Sequence, residues 1–368
     1  MHDEFIRILK EHTARYPKME KQDYGKLVFQ SEYGPEHLVT EKESVLSFLQ
    51  EEMAELPSDA APPNIEPIGG GLCRFPLSFC KSGTDLETLA ELFLLTAQEY
   101  SRVSEGILDK IDKLQKLSVP GMEEWLQQWK EKGYPPVHHS QSYRDAYHPH
   151  YRLLKREYAG YFPAIAAVKK YILSRGSNWM RSFGTAAEDV EKEKPVIIGI
   201  DGRCGSGKTG LASLFSKLFD CNVFHMDDFY LPLERRLENW KEIPGGNIDD
   251  RRLTDEILKP VQRRETVFYQ PYDCGEGKIG KPSQMRPKLL NILEGSYSGH
   301  PFFRENYQFT IFLTCSKEEQ KRRLQRREGG YFSVFEEQWI PFEEQYHRCY
   351  DVEKRSDLCL DTSEFFDS

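Results

Sequence analysis

Residues 195–215 read PVIIGIDGRCGSGKTGLASLF, and this stretch decides the fold of the second half of the chain. It is an apolar, β-branched run, then the spacing Gly202-x4-Gly207-Lys208-Thr209, then an amphipathic helical pattern. Each part has a chemical reason. Small residues at Gly202, Gly205, Ser206 and Gly207 let backbone N–H groups wrap phosphate oxygens, Lys208 meets the β/γ charge, and the Thr209 hydroxyl suits Mg2+. The N-terminus of the following helix adds positive potential of its own. The segment is therefore expected to bind a nucleoside triphosphate such as ATP together with Mg2+. The loop alone leaves open whether the γ-phosphate goes to water, to a conformational switch or to a small-molecule hydroxyl.

Downstream, short apolar runs alternate with helical patterns. Candidate strands lie at 195–200, 222–226, 266–270, 287–293 and 308–314, and helices near 208–219, 250–263, 316–328 and 332–350. The alternation predicts an α/β P-loop NTPase domain with a mostly parallel sheet over 195–368. Upstream, 1–182 reads as a mainly α-helical domain, with helices near 3–14, 18–32, 41–56, 84–101, 104–118, 121–132, 141–158 and 161–174. Its interruption is PNIEPIGGGLCRFPLS (63–78), whose glycines and prolines favour a loop or short hairpin. The polar, charge-alternating FGTAAEDVEKEK (183–194) reads as a linker between the two.

A chain of 368 residues is too long for one ordinary core and long enough for two. With 39% hydrophobic and 30% charged residues it is neither disordered nor fibrous. Its 50 basic and 59 acidic residues give a net charge of −9, shared almost evenly by the two halves, so a nucleic-acid partner held through its phosphates is not expected. The N-terminal MHDEFIR lacks a signal peptide's basic and apolar regions, and no apolar run approaches the ~18 residues of a membrane span. These features point to a cytoplasmic protein without a membrane partner. Eight scattered cysteines with no C-x-x-C pair fit free thiols in a reducing compartment.

Several acids follow strands, where an open α/β sheet presents its ligand crevice. Asp227, in CNVFHMDDFYLP (221–232), is placed to take a proton from a substrate hydroxyl, with helix capping as the plainer alternative. Tyr230 follows in the same D-D-F-Y run. Glu294 ends the apolar run LLNIL at a Walker-B-like position and is a candidate Mg2+ ligand. Asp249, in GGNIDDRRL (245–253), suits the hydroxyls of a polyhydroxylated substrate or caps the helix near 250, and Tyr272 stands in another strand-end loop, FYQPYDCGEG (268–277). On the helix at 316–330, Arg323, Arg326 and Arg327 share a face. They either stabilise its C-terminus through the dipole or clamp a transferring phosphoryl group.

In order, IGIDGRCGSGKT, MDDFY, GGNIDD, PYD, LEGSYS, the RR-x2-R helix and the late FEEQWIPFEEQY segment resemble the uridine/cytidine kinase family and its phosphoribulokinase relatives, over about 195–361. The resemblance implies that Gly202 to Thr209 hold ATP phosphates and Mg2+, and that Asp227 is the general base. It also implies that Asp249 binds ribose hydroxyls, that Tyr272 and Tyr230 line the nucleoside pocket, and that Glu294 helps bind Mg2+. Arg323 and Arg326 would be lid arginines acting with Lys208 on the phosphoryl group, and the protein would self-associate. Two departures concern the base: Ile248 stands where these kinases usually carry an aromatic, and CGEGK (274–278) offers no histidine after Tyr-Asp. The resemblance thus implies a small-molecule kinase, with the 5′-hydroxyl of a nucleoside as leading acceptor and pentose phosphate or pantothenate as others. A nucleotide-binding regulator with a partner-binding helical half is the rival from another class.

Residues 1–182 resemble no family with a nameable activity. PPVHHSQSYRDAYHPHYR (135–152) holds four of the ten histidines, His138, His139, His148 and His150, interleaved with tyrosines and arginines. A metal site, a polar pocket for a small or phosphorylated ligand, and a packed Tyr/His surface are all open readings.

Overall fold

The computed structural model describes residues 4–35, 41–56, 64–100, 106–117, 119–176 and 193–365. The chain divides into two compact units, Met1–Phe162 with Phe365–Ser368, and Pro163–Glu364. Most of the expected linker, 183–192, lies outside the described residues.

In the first unit, helices α1 (Glu4–Arg15), α2 (Lys21–Tyr33) and α3 (Lys42–Glu55) precede a hairpin of β1 (Glu66–Gly69) and β2 (Leu72–Pro76). Gly70 and Gly71 turn this hairpin with φ of +64° and +71°, a region that side chains avoid. A Cβ on Gly70 would also stand 2.4 Å from the Ser31 carbonyl oxygen. Then come α4 (Gly83–Glu99), α5 (Ile107–Gln115), α6 (Met122–Glu131) and α7 (Gln141–Tyr147). β3 (Tyr151–Lys155) follows and completes an antiparallel sheet of order β1-β2-β3. Leu27, Val28, Leu72, Leu114 and Leu153 meet in a core where helices cover this sheet. α8 (Arg156–Ser174) begins in this unit, and the division falls within it.

The single helix expected over 141–158 is corrected to helix, turn and strand. His148 caps α7 with φ of +42°, and Pro149 fixes its own φ and carries no N–H for a helical ladder. The next five residues then pair with β2, Arg74 opposite Leu153.

The second unit holds the α/β P-loop architecture. β4 (Val196–Gly202) leads into α9 (Lys208–Leu218) and β5 (Cys221–His225). A continuous helical stretch, α10, runs from Asp250 through a π turn at Thr254–Leu258 to Arg263. After β6 (Val267–Tyr269), β7 (Tyr272–Asp273), β8 (Lys278–Ile279) and β9 (Ser283–Met285) come β10 (Leu290–Glu294), β11 (Phe309–Thr314), α11 (Lys317–Glu328), α12 (Ile340–Tyr350) and β12 (Leu358–Asp361). Five strands form a wholly parallel sheet in the order β12-β11-β4-β10-β5. β4 and β10 are buried along their whole length, which is why they read as unbroken apolar runs.

The candidate strand at 266–270 does not join this sheet. Its exposed Phe268 and buried neighbours Val267 and Tyr269 alternate, as suits the two-stranded ribbon that β6 makes with β9. The fifth place is filled by β12, an edge strand with every second residue exposed, whose short LCLD pattern carried little signal.

Candidate active site

β4, β5 and β10 are neighbours and all end on one edge of the sheet, so their terminal residues converge. Gly202, with φ of +142°, turns the chain off β4 so closely beneath β11 that a Cβ there would lie 2.0 Å from the Leu313 carbonyl oxygen. Gly205 and Gly207 also have positive φ, and Gly207 caps α9. Lys208 is buried at the start of this helix and donates to the carbonyls of Gly202 (2.7 Å) and Arg203 (3.1 Å), which arches the loop over its ammonium. The buried Ser206 hydroxyl has no hydrogen-bond partner among the described residues.

The Thr209 hydroxyl donates to Glu294 Oε1 at 3.1 Å, and His225 Nδ1 lies 2.6 Å from the same oxygen. This hydrogen bond raises the His225 pKa above its ordinary value. A hydroxyl and a carboxylate on adjoining elements are hard oxygen donors, the type that Mg2+ takes.

Asp227 lies in a 3-10 turn, Met226–Phe229, directly after β5. Its side chain is reached by solvent but crowded by protein. Desolvation, with the charge of Glu294 added, raises its pKa against the opposing effects of the Tyr230 hydrogen bond and Lys208. The chain from Phe229 to Leu231 pairs with Asn247 to Asp249: Asp249 N donates to Phe229 O and Leu231 N to Asn247 O, each at 2.8 Å. This short pairing brings Asp227, Tyr230, Asn247 and Asp249 together. Asp249 Oδ1 caps α10 through Arg252 N, while its buried Oδ2 and Asn247 Nδ2 have no hydrogen-bond partner among the described residues. Oδ2 does stand 3.3 Å from Arg235 Nη1. The capping reading of Asp249 is thus the one seen here, and it uses Oδ1 alone. Tyr272, buried at the start of β7, packs in a strand that contacts the Met226–Phe229 turn.

The arginines separate. Arg326 is exposed near the end of α11, whereas Arg323 is 8% exposed and donates to Gly205 O (3.1 Å), Thr362 Oγ1 (3.0 Å), Thr362 O (2.6 Å) and Glu319. In this structure the Arg323 guanidinium braces the underside of the loop, a placement that differs from the expected lid.

Two further acids at the loop are not among the candidates the sequence offers. Asp201, inside β4, accepts from Gly202 N (2.6 Å), Gly299 N (2.7 Å) and the Tyr346 hydroxyl (2.7 Å). Burial pushes its carboxyl up, but His347, Tyr346 and Lys208 hold it net below the usual value. Glu343 of α12 accepts from Cys204 N at 2.8 Å and from Ser296 Oγ. An acid that ends the apolar run VIIGID, directly before Gly202, was the available signal for Asp201. Glu343 lies 139 residues beyond its partner, and its signal was its place in the late FEEQWIPFEEQY segment rather than any local pattern at the loop.

No family model matches the chain. A uridine kinase from Ligilactobacillus salivarius is 28% identical over 179 residues, which is 45% of this chain and 83% of that protein. A uridine kinase from Oceanobacillus iheyensis is 30% identical over 118 residues, 29% of this chain and 54% of that one. Among solved structures, a possible uridine kinase from Bacillus stearothermophilus aligns with a TM-score of 0.37 at 21% identity, covering 47% of this chain and 91% of that one. In sequence, the P-loop part of the chain resembles these uridine kinases.

The eight cysteines are free thiols, and no described helix is long and apolar enough to cross a membrane. Among the described residues, no group of three or more His, Cys, Asp or Glu side chains is arranged to hold a metal ion. Of the histidine-rich stretch, His138 is exposed, His139 is buried between Asp23 (2.8 Å) and the Tyr151 hydroxyl (2.7 Å), and His148 and His150 line a cavity.

Proposed function

We propose that the second unit is an ATP- and Mg2+-dependent kinase that phosphorylates a primary hydroxyl of a small metabolite, with the 5′-hydroxyl of a nucleoside as acceptor. The observation that carries this is the grouping of Asp227, Tyr230, Asn247 and Asp249 by the 229–231/247–249 pairing, on the sheet edge that also presents Lys208, Thr209 and Glu294. A nucleotide sensor has no use for the first group. Buried Asn247 Nδ2 is a donor left for one sugar hydroxyl, and Asp249 Oδ2, which faces Arg235 Nη1 at 3.3 Å, can accept from another.

Asp227 accepts the acceptor's hydroxyl proton as that oxygen forms its bond to the γ-phosphorus, and the bond from phosphorus to the β–γ bridging oxygen breaks, releasing ADP. The raised pKa of Asp227 makes it a stronger base than a surface aspartate, and the Tyr230 hydroxyl orients it. Lys208, now on two loop carbonyls, turns to the phosphates, and the N–H groups of Gly205 to Thr209 surround them. Thr209 and Glu294 would hold Mg2+, which supplies charge neutralisation at the phosphates. Arg326 remains the candidate for the transferring group itself.

The test is the purified chain with ATP, Mg2+ and a panel of nucleosides, pentose phosphates and pantothenate. ADP release that depends on one acceptor and is lost in Lys208→Ala and Asp227→Asn is the expected result. Acceptor-independent release equal in all three proteins removes the proposal.

A further inference from the structure

The first unit contains a cavity of about 290 Å3 that phosphoryl transfer does not use, at the small end of the ~300–1,000 Å3 range of small-molecule sites. Its depth is marked by Arg74, 2% exposed on the middle strand β2, and its mouth by the exposed His148. Arg74 Nε and Nη2 both donate to Gln30 Oε1, at 3.1 and 2.9 Å. Its Nη1 makes no hydrogen bond among the described residues and stands 4.0 Å from Glu66 Oε2. Ser78 Oγ, buried in the same lining, also has no partner among them. Unfilled donors on a buried guanidinium are costly, so this end of the cavity calls for an acceptor.

The charge balance narrows the acceptor's type. Arg74 and Arg15 face one acid, Glu66, which takes Arg15 at 2.9 Å and the Tyr16 hydroxyl. Burial, with the charge of Arg74 added, lowers the pKa of both His12 and His139 to about 4, so neither adds charge at neutral pH. Asp23 also acts on Tyr151 but is matched by Lys26, so one positive charge is left over. A carboxylate neutralises it, whereas a phosphate monoester, near −1.5 to −2 at roughly pH 7, overshoots. The remaining walls are rings: Tyr16, Tyr143, Tyr147 and Tyr151, with the Tyr16 and Tyr147 centroids 4.8 Å apart. Such walls favour a flat apolar body.

We propose that this cavity binds a small monocarboxylate with a flat apolar body, whose carboxylate accepts from Arg74 Nη1 and Ser78 Oγ while the body lies against the tyrosines. The experiment titrates the full chain with benzoate, trans-cinnamate, phenyl phosphate and benzylammonium, followed by ligand-observed NMR and calorimetry. Saturable binding of at least one carboxylate, tighter than the other two probes, is expected. Arg74→Gln should weaken it about tenfold or more, as for one charge-assisted hydrogen bond. Because Arg74 is part of the core, Ser78→Val and Tyr147→Ala, which alter the lining nearer the surface, carry the same test if Arg74→Gln does not fold. Absence of saturable carboxylate binding up to about 10 mM, equal or tighter binding of phenyl phosphate or benzylammonium, or binding unchanged in the folded variants each overturns the proposal.

Discussion

Lys208 and Arg74 are both buried cations, and they are held in opposite ways. Lys208 sits in a local device: strand, glycine-rich loop and helix lie within 23 residues, Val196 to Leu218, and the ammonium is satisfied by carbonyls of its own loop. Arg74 is satisfied from a distance, by Gln30 of α2 and the ring of Tyr151 on β3 (4.9 Å), and only in part. On the proposed function, the difference teaches that a cation that must turn to a ligand is kept on groups that are easily exchanged, while one built into a core is tied to the fold. The first is expected to matter for turnover, the second for stability.

The largest effect expected from this contrast is on rate. Asp227→Asn should lower kcat about 10^3-fold and Lys208→Ala about 10^2- to 10^3-fold, both with near-wild-type melting temperatures. A Lys208→Ala protein that melts far below wild type would erase the contrast. Next, Arg74→Met should destabilise the first unit by about 3 kcal/mol in chemical denaturation, because it leaves the buried Gln30 Oε1 without its two donors and removes one of the two cations facing Glu66. An effect below about 0.5 kcal/mol would show that Arg74 is not tied to the fold.

A smaller effect is set by pH. His12 and His139 have folded pKa values of about 4 against an unfolded value near 6.5, so on acidification the unfolded chain takes up protons first. Their contribution to stability is therefore complete above pH 6.5 and is lost as pH falls toward 4, about 2 kcal/mol per imidazole between roughly pH 7 and 5. Denaturation at the two pH values measures it, and His139→Gln should flatten the slope. Smallest is Thr362→Val, which removes a hydroxyl that donates to Ser206 O and accepts from Arg323. About 1 kcal/mol of stability and a severalfold rise in the Kd for ATP are expected, read by calorimetry.

What could be read from the sequence follows the same division. The loop, β4, β5, β10, β11 and the ends of α4, α9 and α11 were legible because each is decided by neighbours in the chain: glycine positions, apolar runs, acids that end strands. β3 was hidden because Tyr151 to Lys155 continue a helical-looking pattern, and only Pro149 marks the break. β12 is too short and too polar on one side to announce itself. Asp227 and Glu294 could be picked out as acids after strands, but the brace formed by Arg323 could not, since its acceptors Gly205 and Thr362 lie 118 and 39 residues away. The cavity around Arg74 is assembled from α1, the hairpin and the α7–β3 turn, and no local pattern encodes such a meeting. The histidines drew attention to the correct stretch, yet the group that gives the cavity its charge is an arginine some seventy residues earlier.

The tie between Thr362 and the phosphate loop also has a consequence for the timing of synthesis. The Thr362 hydroxyl donates to Ser206 O, and Thr362 N donates to Thr314 O, so residues beyond β12 close the floor on which the loop rests. A nascent chain that has emerged only to residue 350 already contains every residue of the G-x4-G-K-T pattern but lacks that floor. Tight nucleotide binding should thus wait until Thr362, about 150 residues beyond the motif, is free to fold against the loop.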